Sequence, residues 1–256
     1  MEAVYGQLLD MLGAFWWPFC RVMAMLTAAP VLGENMVPVT LRVMLAMVLA
    51  VILMPSAPAA MAIDPISLHG IYATLEQALI GFALGLAFHL TMAAILMLGF
   101  LVSSQMGLSM AVMNDPMNGS SSDVISSLLY MMCVLVFFSV DGHLVLAGVL
   151  GASFKIWPVG QGLAGLSLQT LALNVSWAFA AALLLALPVI FSTLVVQVGF
   201  GLLNRVAPTL NLFSLGFSVV TVFGLFMLVQ IVRFVPGHYL RMTDKVLQMI
   251  HGQLRA

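Results

Sequence analysis

Between Lys155 and Arg205 the chain runs for 49 residues without one Asp, Glu, Lys or Arg. No soluble domain of ordinary composition tolerates such a run. An apolar stretch of about 20 residues already suffices to cross the hydrocarbon of a bilayer as a helix. Four further charge-free runs flank it: 43–63, 77–114, 124–140 and 206–232. None alternates with a period of two, so a β-barrel is not indicated. In lipid the backbone must satisfy its own hydrogen bonds, and helices remain. The charges are correspondingly few, 8 basic against 9 acidic, with a net charge of -1 and a mean hydropathy of +1.16. That excludes a soluble enzyme, a disordered tail and a phosphate-binding surface for nucleic acid. The sequence predicts an all-α integral membrane protein.

The runs and their breakers predict about six hydrophobic helices, at 11–33, 36–60, 71–102, 124–151, 170–203 and 210–236. The breakers are Gly33-Glu34-Asn35, Asp64-Pro65, the 114–123 segment, Trp157-Pro158 to Gly165, and Arg205 to Pro208. Pro18 and Arg21 interrupt the first helix, and Pro188 is expected to kink the fifth. Glu2 and Asp10 stand where a secretory signal would be basic, so no cleaved signal is expected. Cys20 and Cys133 lie inside apolar runs and read as small buried hydrophobes, neither a disulfide nor zinc ligands. With six spans the positive-inside rule puts both termini in the cytoplasm, mostly through Arg233, Arg241, Lys245 and Arg255.

Motifs for chemistry are scarce. Gly160-Gln161-Gly162-Leu163-Ala164-Gly165 spells a dinucleotide loop, yet the next acidic residue after it is Asp244, too far for a ribose. No phosphate-binding G-x-x-x-x-G-K-[ST] occurs, and Asn118-Gly119-Ser120 and Asn174-Val175-Ser176 are chance glycosylation spellings. Asp141-Gly142-His143 offers two ligands, which is no complete metal site. No catalytic residue, cofactor or metal is expected. Arg21, Arg42, Glu76 and Asp141 are harder to dismiss, since a charge at a helix centre costs roughly 2.5–3.5 kcal/mol on insertion scales. Arg42 and Glu76 suit snorkelling from helix starts. Even so, Arg21, Arg42, Glu76, Asp141 and His143 are all expected to be buried polar or intersubunit contacts, Arg21 and Asp141 foremost. His89 reads as satisfied within the bundle, and Gly81 and Gly85 permit close helix approach.

The segment Ser103 to Asp123 is the most informative. Met106, Met110, Met113 and Met117 recur at helical spacing. Thioethers repack around many shapes at small cost. The stripe runs into Asn114-Asp115-Pro116 and a Gly/Ser run, which suggests a movable obstruction.

In order and spacing these landmarks resemble the FliR family of flagellar type III secretion export-gate proteins. The resemblance rests on Phe19-Cys20-Arg21-Val22, Ala29-Pro30-Val31, Pro38, Arg42, Glu76 with Gly81 and Gly85, Gln105-Met106-Gly107, and Asp115-Pro116. It continues through Asp141-Gly142-His143, Ser153-Phe154, Pro158, Asn204-Arg205-Val206-Ala207-Pro208, Asn211-Leu212-Phe213 and Gly216-Phe217. Ser218 departs from it, where the family pattern carries Pro. The resemblance implies a non-enzymatic subunit of a helical hetero-oligomeric gate in the bacterial inner membrane, within the flagellar basal body. Its implied partners are FliP, FliQ and an FlhB-type protein, with membrane lipid around it and unfolded flagellar proteins as cargo. It implies a FliP-like portion over 1–168, with a pore-directed loop near 103–123, and a FliQ-like hairpin with a tail over 169–256. Gln105, Met106, Gly107, Met110, Met113, Asp115, Pro116 and Met117 would then plug the closed pore. Arg205, Pro208 and Asn211 would form a partner-facing turn on the cytoplasmic side, the reverse of the orientation from charge counting. The alternative from another class is an ion-coupled secondary transporter using Glu76, Asp141 and His143.

Overall fold

A computed structural model describes residues 2–34, 37–56, 63, 67–108, 113–115, 120–160, 162, 168–206 and 212–255. Among these residues the elements are α1 (Glu2–Ala28), α2 (Val39–Leu53), α3 (Leu68–Gln105), β1 (Met113–Asp115), β2 (Ser120–Ser122), α4 (Val124–Ser139), α5 (Gly142–Ile156), α6 (Leu168–Val206), α7 (Leu212–Val232) and α8 (Val235–Arg255). The all-α membrane-type class holds. The strands are a three-residue antiparallel pair, Met113 opposite Ser122 and Asp115 opposite Ser120.

Among the described residues three helices are long and apolar enough to cross a bilayer, Leu68–Gln105, Ala172–Val206 and Leu215–Val232, or four spans if the bent α4–α5 pair counts as one. The helix expected over 124–151 is two, α4 and α5, bent by 66° at the break. Asp141 makes the break, with φ 53 and ψ 37 in the left-handed region. Its carbonyl accepts from Leu144 N at 2.8 Å and Val145 N at 3.2 Å, which starts α5 afresh. Gly142 is required there, because a Cβ would overlap the Phe137 ring. α2, at 15 residues, reaches about 22 Å, short of the ~30 Å core. Pro18 and Pro188 both lie inside continuous helices. The last predicted helix stops at Val232, and the sequence reading missed α8.

The chain forms two compact units: 1–89 with 137–173 and 243–256, and 90–136 with 174–242. In the first unit α1 crosses α3 at Gly81 and Gly85. A Cβ at Gly81 would overlap Arg21 O, and one at Gly85 would overlap Met25 O. The small residues therefore do what their spacing suggested. Trp17, Ala73 and Val159 pack as a buried cluster, and Trp16 Nε1 donates to Thr74 Oγ1 at 3.1 Å.

In the second unit α6 buries one stripe, Asn174, Ala178, Ala182, Ala186, Val189 and Thr193, and α7 buries Gly216, Val220, Gly224 and Leu228. Both stripes have helical spacing and are built mostly of small side chains, which bring backbones close. α3 and α4 meet where Gly99 lies against the Ser126 backbone, leaving 2.5 Å between a Cβ at Gly99 and Ser126 Cα. Asp123 caps α4: Oδ1 accepts from Ser126 N at 2.9 Å, and the Ser126 hydroxyl bonds Oδ2.

Candidate functional site: a buried arginine and the foot of α3

Among the described residues each unit contains a concentration of polar contacts that the apolar helices do not require for themselves. In the first unit it is Arg21, 0% exposed on α1. A guanidinium is a planar fork with five donors and cannot be neutralised cheaply, so burial obliges it to find acceptors. It does: Nε donates to Gln77 Oε1 at 2.8 Å, Nη1 to Ser153 Oγ at 3.0 Å, and Nη2 to Trp157 O at 2.6 Å. The guanidinium carbon sits 4.1 Å from the centroid of the Phe154 ring. Gln77 passes the contact on, its Nε2 donating to Glu76 Oε1 at 3.3 Å. Glu76 Oε2 accepts from Gly162 N at 3.1 Å. Glu76, 2% exposed, belongs to the same buried network as Arg21. One buried network thus joins α1, α3, the end of α5 and residue 162.

In the second unit it is the foot of α3. Gln105 O accepts from Gln197 Nε2 of α6 at 3.3 Å, and Met106 O accepts from Thr221 Oγ1 of α7 at 2.9 Å. The Met106 side chain is fully buried against Gly224, where a Cβ would overlap its Cγ. Gly107 has φ +74 and lies against the Phe217 ring. Beside these three residues opens a cavity of about 340 Å³, lined by Gln105, Met106, Gln197, Phe200, Asn204 and Phe217 among others.

The structure places the sequence-predicted residues unequally. Arg21 and Glu76 are both buried and hydrogen-bonded inside the first unit, so neither snorkels. Arg42 is half-buried and ties down the turn after α1, donating from Nε to Leu32 O at 2.9 Å and from Nη2 to Glu34 O at 3.0 Å. Asp141 and His143 are exposed at the α4–α5 break, the His143 ring 6.1 Å from the Phe138 ring. For them the intersubunit reading remains and the buried one does not. Gln105, Met106 and Gly107 come together at the foot of α3. Met106 and Met113 do not share a helical stripe, because α3 stops at Gln105 and Met113 belongs to a strand. Gly107 in the left-handed region accounts for the stop. Met110, Pro116 and Met117 lie outside the described residues, and of Met113 and Asp115 only the backbone is described. Arg205 is exposed in the last turn of α6, while Pro208 and Asn211 lie outside the described residues.

Gln77, Ser153, Asp123, Thr221 and Gly224 were missed as site residues. The signal available was polarity in an apolar helix: Gln77 opens the charge-free run 77–114, and Ser153 sits in the apolar stretch between Asp141 and Lys155.

Residues 12–246 match the family described as bacterial export proteins, family 1. The flagellar biosynthetic protein FliR of Pectobacterium carotovorum subsp. carotovorum is 32% identical over 92% of this chain and 90% of that protein. FliR of Escherichia coli K12 is 33% identical over 88% of this chain and 86% of its own length. The surface presentation of antigens protein SpaR of Salmonella typhimurium is 27% identical over 68% of this chain and 64% of that protein. The chain is therefore a helical membrane protein that belongs to the bacterial export proteins of family 1, among their FliR-type members.

Proposed function

We propose that this chain is a subunit of the flagellar type III protein export gate in the bacterial inner membrane. It assembles there with FliP- and FliQ-type proteins into the channel for unfolded flagellar proteins, inside the basal body, with an FlhB-type protein at the entrance. Its role is structural and mechanical. The observation that carries this reading is the exposure of α6 and α7. Each buries one narrow stripe, while Leu184, Phe191, Val195, Leu202, Val222, Phe226 and Val229 on their other faces are all more than half exposed. A patch of this extent marks contact with lipid or with other subunits. In this reading residues 1–168 correspond to the FliP-like portion and 169–256 to the FliQ-like hairpin with its tail. Residues 105–117 form the closed-state plug, and Asp141, His143 and the turn bearing Arg205, Pro208 and Asn211 meet neighbouring subunits.

Co-expression tests it. The tagged chain should co-purify with FliP- and FliQ-type proteins as one defined complex, and aggregate or degrade when expressed alone. A chain that purifies alone as a stable monomer or homo-oligomer would overturn the gate reading and favour the transporter. The placement of Glu76 gives the transporter no support, because both carboxylate oxygens are already bonded inside the protein.

A further inference from the structure

We infer that the junction of α7 and α8 is a binding surface for anionic phospholipid headgroups, held by Arg233 and Arg241 with Phe234 between them. The inference goes beyond the gate reading and needs only that α7 meets a bilayer. From Arg233 onward the chain carries four of its eight Lys and Arg residues, Arg233, Arg241, Lys245 and Arg255, and one of its nine Asp and Glu residues, Asp244. Cations gathered directly after a span and on an amphipathic helix form the electrostatic pattern that attracts acidic lipid. α7 fixes the depth. Its apolar stretch Leu215–Val232 has 18 residues, about 27 Å of helix, close to the ~30 Å of hydrocarbon. Val222, Phe226 and Val229 stand four and three residues apart on one exposed face. Arg233 follows four residues later, also exposed, where that face reaches the headgroups.

The two arginines are held ready for an anion. Each guanidinium uses one donor on its own part of the chain: Arg233 Nη2 donates to Gln230 Oε1 at 3.0 Å, and Arg241 Nε to Gly237 O at 3.2 Å. A guanidinium has five donors, so most of each fork is left over. The bond to Gly237 folds Arg241 back toward the start of α8, where its Nη2 comes within 3.9 Å of the position a Cβ on Gly237 would take. One fork thus sits just before Phe234 and the other reaches back over Gly237, and Phe234 itself is 58% exposed. Aromatic rings at this depth anchor proteins at the membrane–water boundary. The apolar side of α8 is not available to lipid, because Val235, Tyr239 and Met242 are buried in the protein. The basic side is what remains outside. A lipid phosphate presents oxygens that match a guanidinium fork. In phosphatidylcholine the choline cation cancels the phosphate charge, and in phosphatidylglycerol nothing does, so the surface selects the acidic lipid.

The experiment uses the chain purified with its partners in phospholipid nanodiscs. Cys20 and Cys133 are replaced by Ala, and a bimane label on Val229→Cys, one turn before Arg233, reports the adjoining lipid. Quenching by brominated phosphatidylglycerol is compared with quenching by brominated phosphatidylcholine, each as a minor component in phosphatidylcholine. A cation near an anionic surface carries about fivefold, the factor in ~1 kcal/mol, so two should give a preference of about 25-fold for phosphatidylglycerol. Arg233→Gln and Arg241→Gln should each lower it about fivefold, and the double variant should abolish it. Lys155→Gln, which removes an exposed cation of α5, should leave it unchanged, and added salt should weaken it. Equal quenching by the two lipids in the wild type, or a preference that survives in the double variant, would overturn the inference. So would a label that neither lipid quenches, since that face would then belong to a partner subunit. The readout is the lipid beside α7, so it serves equally for the chain purified alone. Failure to bind partners would strike the gate reading and leave this one standing.

Discussion

Replacing Arg21 with Gln removes the guanidinium from the buried network of the first unit while leaving the helices nearly the same shape. The guanidinium makes three hydrogen bonds, to Gln77, Ser153 and Trp157, and stacks on Phe154. A shorter neutral amide cannot reach all three acceptors. The larger effect is electrostatic. Glu76 stays buried with the Gln77 amide and the Gly162 N–H as its hydrogen-bond partners, and with no cation bonded to it among the described residues. Removing one partner from a buried charge pair costs about 3–5 kcal/mol, a large share of the ~5–15 kcal/mol that holds an ordinary domain together. The check is a double-mutant cycle on the detergent-solubilised complex, unfolded by denaturant. Arg21→Gln alone should lose about 3–5 kcal/mol. Adding Glu76→Gln should recover part of it, with a coupling of about 1–3 kcal/mol. The charges are separated by Gln77 and form no direct ion pair, so the coupling travels through low-dielectric protein. Additive losses, with a coupling under ~0.5 kcal/mol, would refute the view that Glu76 answers Arg21.

Four further predictions concern a backbone crossing, the α4–α5 break and the loop. Gly99→Val should destabilise the protein by about 1–3 kcal/mol through overpacking on Ser126, whereas Gly148→Ala, with nothing within 4 Å of its Cβ, should be stabilising by up to ~1 kcal/mol; thermal unfolding of the two variants decides. Asp141→Gly should keep the α4–α5 break, and Asp141→Val should lose about 1–2 kcal/mol to left-handed strain. Asp141→Lys should impair assembly and motility far more than Ser167→Lys, and equal tolerance would end its intersubunit role. Deleting Met110 to Ser121 in an assembled gate should raise ion conductance across the membrane; a deletion that stays tight would place the seal in the partner subunits.

The sequence reveals what lipid enforces and hides what only tertiary contact decides. Charge-free length found α3, α6 and α7, because hydrocarbon penalises every charge along a span. The same criterion ran through the α4–α5 break, since Val140 and Leu144 on either side are as apolar as the helices. Asp141-Gly142 was the available sign, a turn dipeptide inside an apolar run. α8 was passed over because its charges disqualified it, although Val235, Tyr239, Met242, Val246 and Ile250 are buried at helical spacing. The methionine spacing was over-extended, since nothing local shows that Phe217 and Thr221, more than a hundred residues on, grip the chain at Gly107. Arg21 was recognised from its insertion cost, but its acceptors came from three distant segments that no local pattern connects.

The length of α6 has a consequence of its own. Its apolar stretch, Ala172–Val206, has 35 residues and is about 52 Å long. The bilayer core is about 30 Å thick, and even a tilt of ~40°, the upper end of what spans adopt, uses only about 39 Å of helix. About 13 Å, more than two turns, must therefore stand clear of the acyl chains while remaining as greasy as the rest. Water would not tolerate that collar, and thickening the lipid by this much is too costly. The collar calls for a protein sheath, which in the proposed gate the neighbouring subunits would supply.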